Sequence, residues 1–116
     1  MKREFSIKKQ SEIDLVYQKK NVVSCKGFSL FVMKNDVNLH FRYALSIGKK
    51  YGNSVERNLM KRRVREVVHS LSLVIDSSYD FLIVIKPLSK EYSFETISAE
   101  LKYLMSKIKL IKEVRN

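Results

Sequence analysis

A chain of 116 residues, 45% apolar with three glycines and one proline, is long enough to bury one core and too short for two domains. Its 23 Lys and Arg against 12 Asp and Glu leave a formal net charge of +11, which calls for a polyanionic partner. No apolar run approaches the ~18 residues of a membrane span, MKREFSIKKQ lacks the apolar middle of a secretory signal, and the single Cys25 excludes an internal disulfide.

These observations leave nucleic acid as the expected partner, no membrane partner, and a reducing, cytoplasmic setting. Cys25 reads as a small buried residue with no partner to activate it.

The first ten residues are basic and read as loose. Ser11 then fits an N-cap, with Asp14 three residues on in a capping-box arrangement. Ile13, Val16 and Tyr17 follow at i, i+3, i+4 and make one apolar stripe on a short helix. Residues 28–33, FSLFVM, are aromatic and β-branched enough for a strand. From Leu39 to Ile47 apolar residues alternate with His40, Arg42, Ala44 and Ser46, which predicts a strand with one apolar side. The polar link KNDVN between these strands suits a hairpin. Residues 79–86, YDFLIVIK, are a continuous apolar run stopped by Pro87, the pattern of a central strand covered on both faces. A last helix starts near Ser93 and carries Ile97, Leu101, Leu104, Ile108 and Ile111 at helical spacing.

The order α-β-β-α-β-α admits α+β or α/β, one small sheet with helices against it. Residues 39–86 then form a β-α-β unit whose crossover is the segment 48–68, GKKYGNSVERNLMKRRVREVV. That segment holds Lys49, Lys50, Arg57, Lys61, Arg62, Arg63 and Arg65 against only Glu56 and Glu66. Gly52 bends the chain into the helix, and Asn53 caps it with Glu56 at the third helical position.

At 100° per residue Met60, Val64, Val67, Val68 and Leu71 gather within an arc of about 100°, a core-facing stripe. Asn58, Lys61, Arg62, Arg65 and His69 fall on the opposite side and face one partner together. Glu66 can offset Arg62 and Glu56 can reach toward Arg63, yet most of the cations have no acid within helical reach. Arg57 lies in the first turn, where the helix dipole already attracts anions, so it strengthens that field. Strands flank this helix, unlike a DNA recognition helix in an all-helical domain. RNA, read by phosphate contact and aromatic stacking, is the better fit, and DNA is not expected.

The run Lys49-Lys50, Gly52-Asn53, Val55, Arg57-Asn58, Lys61-Arg62 and Arg65-Glu66 resembles the signature of the bacterial ribonuclease P protein subunit. The likeness covers nearly the whole chain, including a short first helix with an aromatic and an apolar strand ending in Lys-Pro. It implies a single domain over residues 1–116 of α+β class, with a small central sheet packed with helices. It also implies a ribosomal-protein-S5-domain-2-like topology and a left-handed β-α-β crossover, against the right-handed rule.

The resemblance implies a subunit of a ribonucleoprotein endonuclease that removes the 5′ leader of precursor tRNA. The catalytic RNA and its Mg²⁺ ions would do the chemistry. The matching positions assign Lys49, Lys50, Arg57, Asn58, Lys61, Arg62 and Arg65 to the catalytic RNA, and Arg63 is expected to join them. They put Ile13, Tyr17 and Phe31 along a leader cleft between the first helix and the sheet, with Lys9 and Arg42 nearby.

Two positions depart from the family pattern. The usual Arg-Asn-Arg reads Arg57-Asn58-Leu59, with Arg63 on a nearby flank to compensate. A commonly aromatic position is Ile13, which packs but cannot stack a base. His40 and His69 make no convincing acid–base pair and the acids are scattered, so no independent protein active site is expected. The rival readings are a ribosomal or ribosome-assembly protein and a free-standing nuclease.

Overall fold

The computed structural model describes residues 5–111, in which a four-stranded mixed sheet carries three α-helices. In chain order these are α1 (Gln10–Gln18), β1 (Val22–Ser24), β2 (Phe28–Lys34), β3 (Arg42–Ile47), α2 (Ser54–Ser70), β4 (Tyr79–Ile85) and α3 (Phe94–Lys107). Short 3-10 turns at Lys49–Tyr51 and Pro87–Glu91 precede α2 and α3. The class is α+β.

Across the sheet the order is β1-β2-β4-β3. β4 lies inside, antiparallel to β2 and parallel to β3, and as expected its apolar run is buried on both faces, Phe81, Ile83 and Ile85 on one and Leu82 on the other. β3, α2 and β4 form the expected β-α-β unit.

The expected hairpin between β2 and β3 does not form, because β4 inserts between them. The hairpin is instead β1 with β2, closed by Cys25 N–H donating to the Phe28 carbonyl at 2.9 Å. β1 went unseen in the sequence because three residues carry too little pattern to register. Gly27 in this turn sits under the Tyr92 ring, where any Cβ would collide.

The sheet's two faces follow the period of two. Phe28, Leu30, Val32, Tyr43, Phe81, Ile83 and Ile85 join the core formed with α2 and α3. Leu82 joins Ile7 and Val16 in a smaller cluster on the other face, edged by Ile13, Phe31, Met33, Ala44 and Val84. Met60, Val64, Val67 and Val68 of α2 are fully buried as their spacing predicts, each contributing about 1.5–3 kcal/mol of hydrophobic stabilisation.

Several local expectations are corrected. α1 starts at Gln10, not after Ser11; its N-cap is Lys9, with no side-chain cap, and Asp14 accepts from Gln10 Nε2 at 2.9 Å. The first ten residues are not all loose, since Ile7 is buried and its N–H donates to the Tyr43 carbonyl at 2.9 Å; residues 1–4 lie outside the described residues. β3 begins at Arg42, leaving Leu39 in the preceding link and 95% exposed. α3 is capped by Ser93 as expected, but ends at Lys107. Lys109 (φ 61°) then turns the chain, and Ile111 bridges to Ile75 outside the helix.

Candidate nucleic-acid interface

The N-terminus of α2 is built by reciprocal capping. Asn53 Oδ1 accepts from the Glu56 N–H at 2.9 Å, and Glu56 Oε1 accepts from the Asn53 N–H at 3.0 Å. Gly52 at φ 158° permits that closure, because a Cβ there would meet Glu56 Oε1 at 2.5 Å. Glu56 does not reach Arg63. Its other oxygen pairs with Lys90 Nζ at 2.7 Å, a bond that lowers the Glu56 pKa and raises that of Lys90.

From this cap the helix carries its cations outward. Asn58, Arg62, Arg65 and His69 are exposed, Lys61 is half-buried, and Lys49 and Lys50 stand exposed on the preceding turn. Arg57 is half-buried, and its Nε donates to the Asn53 carbonyl at 3.4 Å. Four ion pairs occur among the described residues: Lys34–Asp36, Arg42–Glu12, Arg42–Asp80 and Lys90–Glu56. None uses a cation of α2, and the Arg62–Glu66 offset read from helical spacing does not close.

The cations divide between two flanks. Arg62, Arg65, Glu66, His69 and Ser70 line an open groove of about 300 Å³. Arg63 lies on the other flank, where it lines a cavity of about 160 Å³ with Tyr51, Leu59, Met60, Glu56 and Lys90. Leu59 and Arg63 therefore share one flank, as their spacing of four implied. Lys90 was missed in the sequence because it sits in a short turn outside any periodic segment. Burial pushes the Tyr43 hydroxyl under α2 up to about 12, against the opposing charge of Arg65.

The second group of expected residues lies on the opposite face of the sheet, around α1. Tyr17 is 57% exposed, and its ring centroid stands 4.9 Å from that of half-buried Phe31 on β2. Ile13 is half-buried on the smaller cluster, and Lys9 is exposed at the helix N-terminus. Tyr17 and Phe31 thus offer ring surface from two elements at the α1–sheet seam.

Arg42 is differently placed from a free phosphate ligand. Its Nε donates to Asp80 Oδ1 at 3.1 Å, and one terminal nitrogen donates to Asp80 Oδ2 at 2.7 Å and Glu12 Oε2 at 2.9 Å. Asp80 is 1% exposed and also accepts from Asn35 at 3.2 Å and Asn38 at 2.7 Å. The sequence concealed this cluster, because Asp80 read as an interruption in an apolar strand and its donors are 38 or more residues away.

Neither histidine joins a catalytic pair in what is described. His40 Nδ1 lies 2.9 Å from the Phe41 carbonyl and its ring packs on Phe5 at 4.5 Å, while His69 is on the α2 surface. Cys25 is half-buried and donates to Glu100 Oε1 at 2.8 Å; burial and this carboxylate push its pKa up, keeping it a thiol. Glu100 also holds the Tyr92 hydroxyl, whose pKa rises to about 12. Among the described residues no helix is long and apolar enough to cross a membrane.

The chain as a whole resembles known proteins. The family model Ribonuclease P matches residues 1–109. The ribonuclease P protein component of Acholeplasma laidlawii is 43% identical over 117 residues, covering 100% of both chains. That of Phytoplasma australiense is 40% identical over 111 residues, 96% of each chain. A solved RNase P protein of Staphylococcus aureus superposes with a TM-score of 0.85 at 27% identity, covering 93% of this chain and 98% of that one. With a full-length sequence match and a fold match agreeing, the chain belongs to the ribonuclease P protein family.

Proposed function

We propose that this chain works as the protein subunit of ribonuclease P, binding the catalytic RNA through α2 and the 5′ leader of precursor tRNA along the α1–sheet seam. The ribonucleoprotein then hydrolyses one phosphodiester bond, releasing the leader and the mature tRNA 5′ end. The observation that carries the reading is the α2 surface, whose cations take part in none of the ion pairs among the described residues. A positively charged rod left uncompensated in this way gains most from a phosphate backbone.

The chain's own part is to bind and orient. Neutralised phosphates let two polyanions, catalytic RNA and substrate, come together. Tyr17 and Phe31 offer ring faces to unpaired bases, and Lys9 adds charge beside them. Mg²⁺ supplies the hydrolytic chemistry when held by the RNA. Among the described residues no three His, Cys, Asp or Glu converge where they could hold a metal ion. This work takes place in the cytoplasm, where a lone cysteine stays reduced.

Reconstitution tests it. The purified protein is mixed with its source's catalytic RNA and a precursor tRNA at low Mg²⁺, and leader release is followed. Stimulation of the RNA is expected. Cleavage by the protein alone supports a free-standing nuclease, and no stimulation supports a ribosome-assembly protein. About six phosphate contacts on single-stranded RNA give a slope of log K on log salt near −4.

A further inference from the structure

α1 has little to fix it. It is nine residues long, has no side-chain cap, and completely buries only Val16. Helices this short are marginal in water, so α1 takes its position from what holds it to the sheet. Beside the Tyr17–Phe31 ring contact, two things do so among the described residues. One is the small cluster of Ile7, Val16 and Leu82. The other is polar: Glu12 Oε2 accepts from Arg42 at 2.9 Å, and the same nitrogen is gripped by buried Asp80 at 2.7 Å.

Asp80 is paired at the same ladder position as Arg42, and the donors Asn35 and Asn38 fix its remaining lone pairs. A carboxylate with four such bonds has no freedom to turn, so the guanidinium it holds is pre-aimed at α1. The chain Asp80–Arg42–Glu12 thereby links β4, β3, the link between β2 and β3, and α1. Tyr17 lies on α1 one residue past the buried Val16 and five past Glu12, so the angle of α1 sets the 4.9 Å spacing between its ring and Phe31.

We propose that Glu12, Arg42 and Asp80 are positioning residues for leader binding: they tether α1 at the angle that holds the Tyr17–Phe31 seam open to a single-stranded RNA. Arg42 acts through Glu12 and does not itself hold a leader phosphate. This rests on the reading of the α1–sheet seam as the leader site.

The two roles for Arg42 predict opposite signs. If Arg42 bound the leader directly, Glu12→Gln would free its charge and remove a repelling carboxylate, so leader affinity would rise. If Arg42 is part of a tether, Glu12→Gln releases α1 and leader affinity falls. Glu12 is only half-buried, so this variant spares the Asp80 core.

The holoenzyme is reconstituted with Glu12→Gln protein, and affinities are measured for precursor tRNA with a leader, for mature tRNA, and for the catalytic RNA. The expected result is a loss of about fivefold for the leader-bearing substrate only, the size of one partly exposed ion pair. Glu12→Asp, which keeps the carboxylate, is expected to recover part of it. Unchanged or increased leader affinity overturns the tether, as does an equal loss for mature tRNA. Tyr17→Ala is run in parallel to separate the two readings. A loss with Tyr17→Ala but not Glu12→Gln sinks the tether alone, and no loss with either sinks the seam as well.

Discussion

Asp80 and Arg42 face each other at one ladder position of the parallel pair β4 and β3, joined by hydrogen bonds of 3.1 and 2.7 Å. Burial pushes the Asp80 carboxyl up, but the bonds from Arg42, Asn38 and Asn35 outweigh it and hold the pKa below its ordinary value. The folded-state pKa is thus lower than the unfolded value of about 3.9, so the stability gained from ionised Asp80 is fully present above that value. It is lost as pH falls through the folded pKa.

Asp80→Asn keeps the size of the side chain and removes its charge, leaving Arg42 with Glu12 alone. A loss of about 3 kcal/mol is expected at neutral pH, shrinking toward zero in strong acid where wild-type Asp80 is itself protonated. Urea titrations at a series of pH values measure both. A loss that stays constant down to pH about 2 contradicts the account.

Arg62→Ala and Arg65→Ala remove exposed cations from the groove of about 300 Å³ on α2. Each is expected to weaken binding of the catalytic RNA and to flatten the salt dependence by roughly 0.7–1 in slope. Thermal stability should move by no more than about 0.5 kcal/mol. Salt titrations of the complex against catalytic RNA check the slope, and an unaltered slope in both variants rejects the α2 interface.

Tyr17 and Phe31 share a ring contact but differ in burial. At 57% exposure Tyr17 contributes little to the core, so Tyr17→Ala should cost under about 1 kcal/mol of stability while weakening affinity for leader-bearing substrate. Phe31 is half-buried on the small cluster, and Phe31→Ala should cost about 2–3 kcal/mol in addition to any binding defect. Denaturation alongside substrate binding separates the two effects. Unfolding of Tyr17→Ala with no selective binding loss would make that ring a core residue.

Leu59 is 40% exposed in the flank it shares with Arg63 and Lys90. Leu59→Arg adds a phosphate-seeking side chain without emptying the core. Catalytic-RNA affinity should rise several-fold at low salt, with a slope steeper by about 0.7. Equal affinity at all salt concentrations would mean that this flank does not meet RNA.

What the sequence alone determined was the face each residue of α2 occupies and where that helix begins. The spacing of Met60, Val64, Val67 and Val68 declared both the buried stripe of α2 and, by exclusion, the face on which Arg62 and Arg65 stand. Asn53 and Glu56 announced the helix start because a capping box is closed within four residues. Chain connectivity did not reveal which strands pair: β4 enters between β2 and β3 from 38 or more residues away, so the polar link KNDVN gave a false hairpin signal.

Only the tertiary structure decided where Arg42 spends its charge. A guanidinium follows whichever carboxylate the fold brings near, and Asp80 and Glu12 lie 38 and 30 residues from it along the chain. It also decided that Tyr17 meets Phe31 while Glu56 turns from Arg63 to Lys90. Periodicity fixes which face a side chain occupies, whereas its partner is chosen by packing between segments that no local pattern connects.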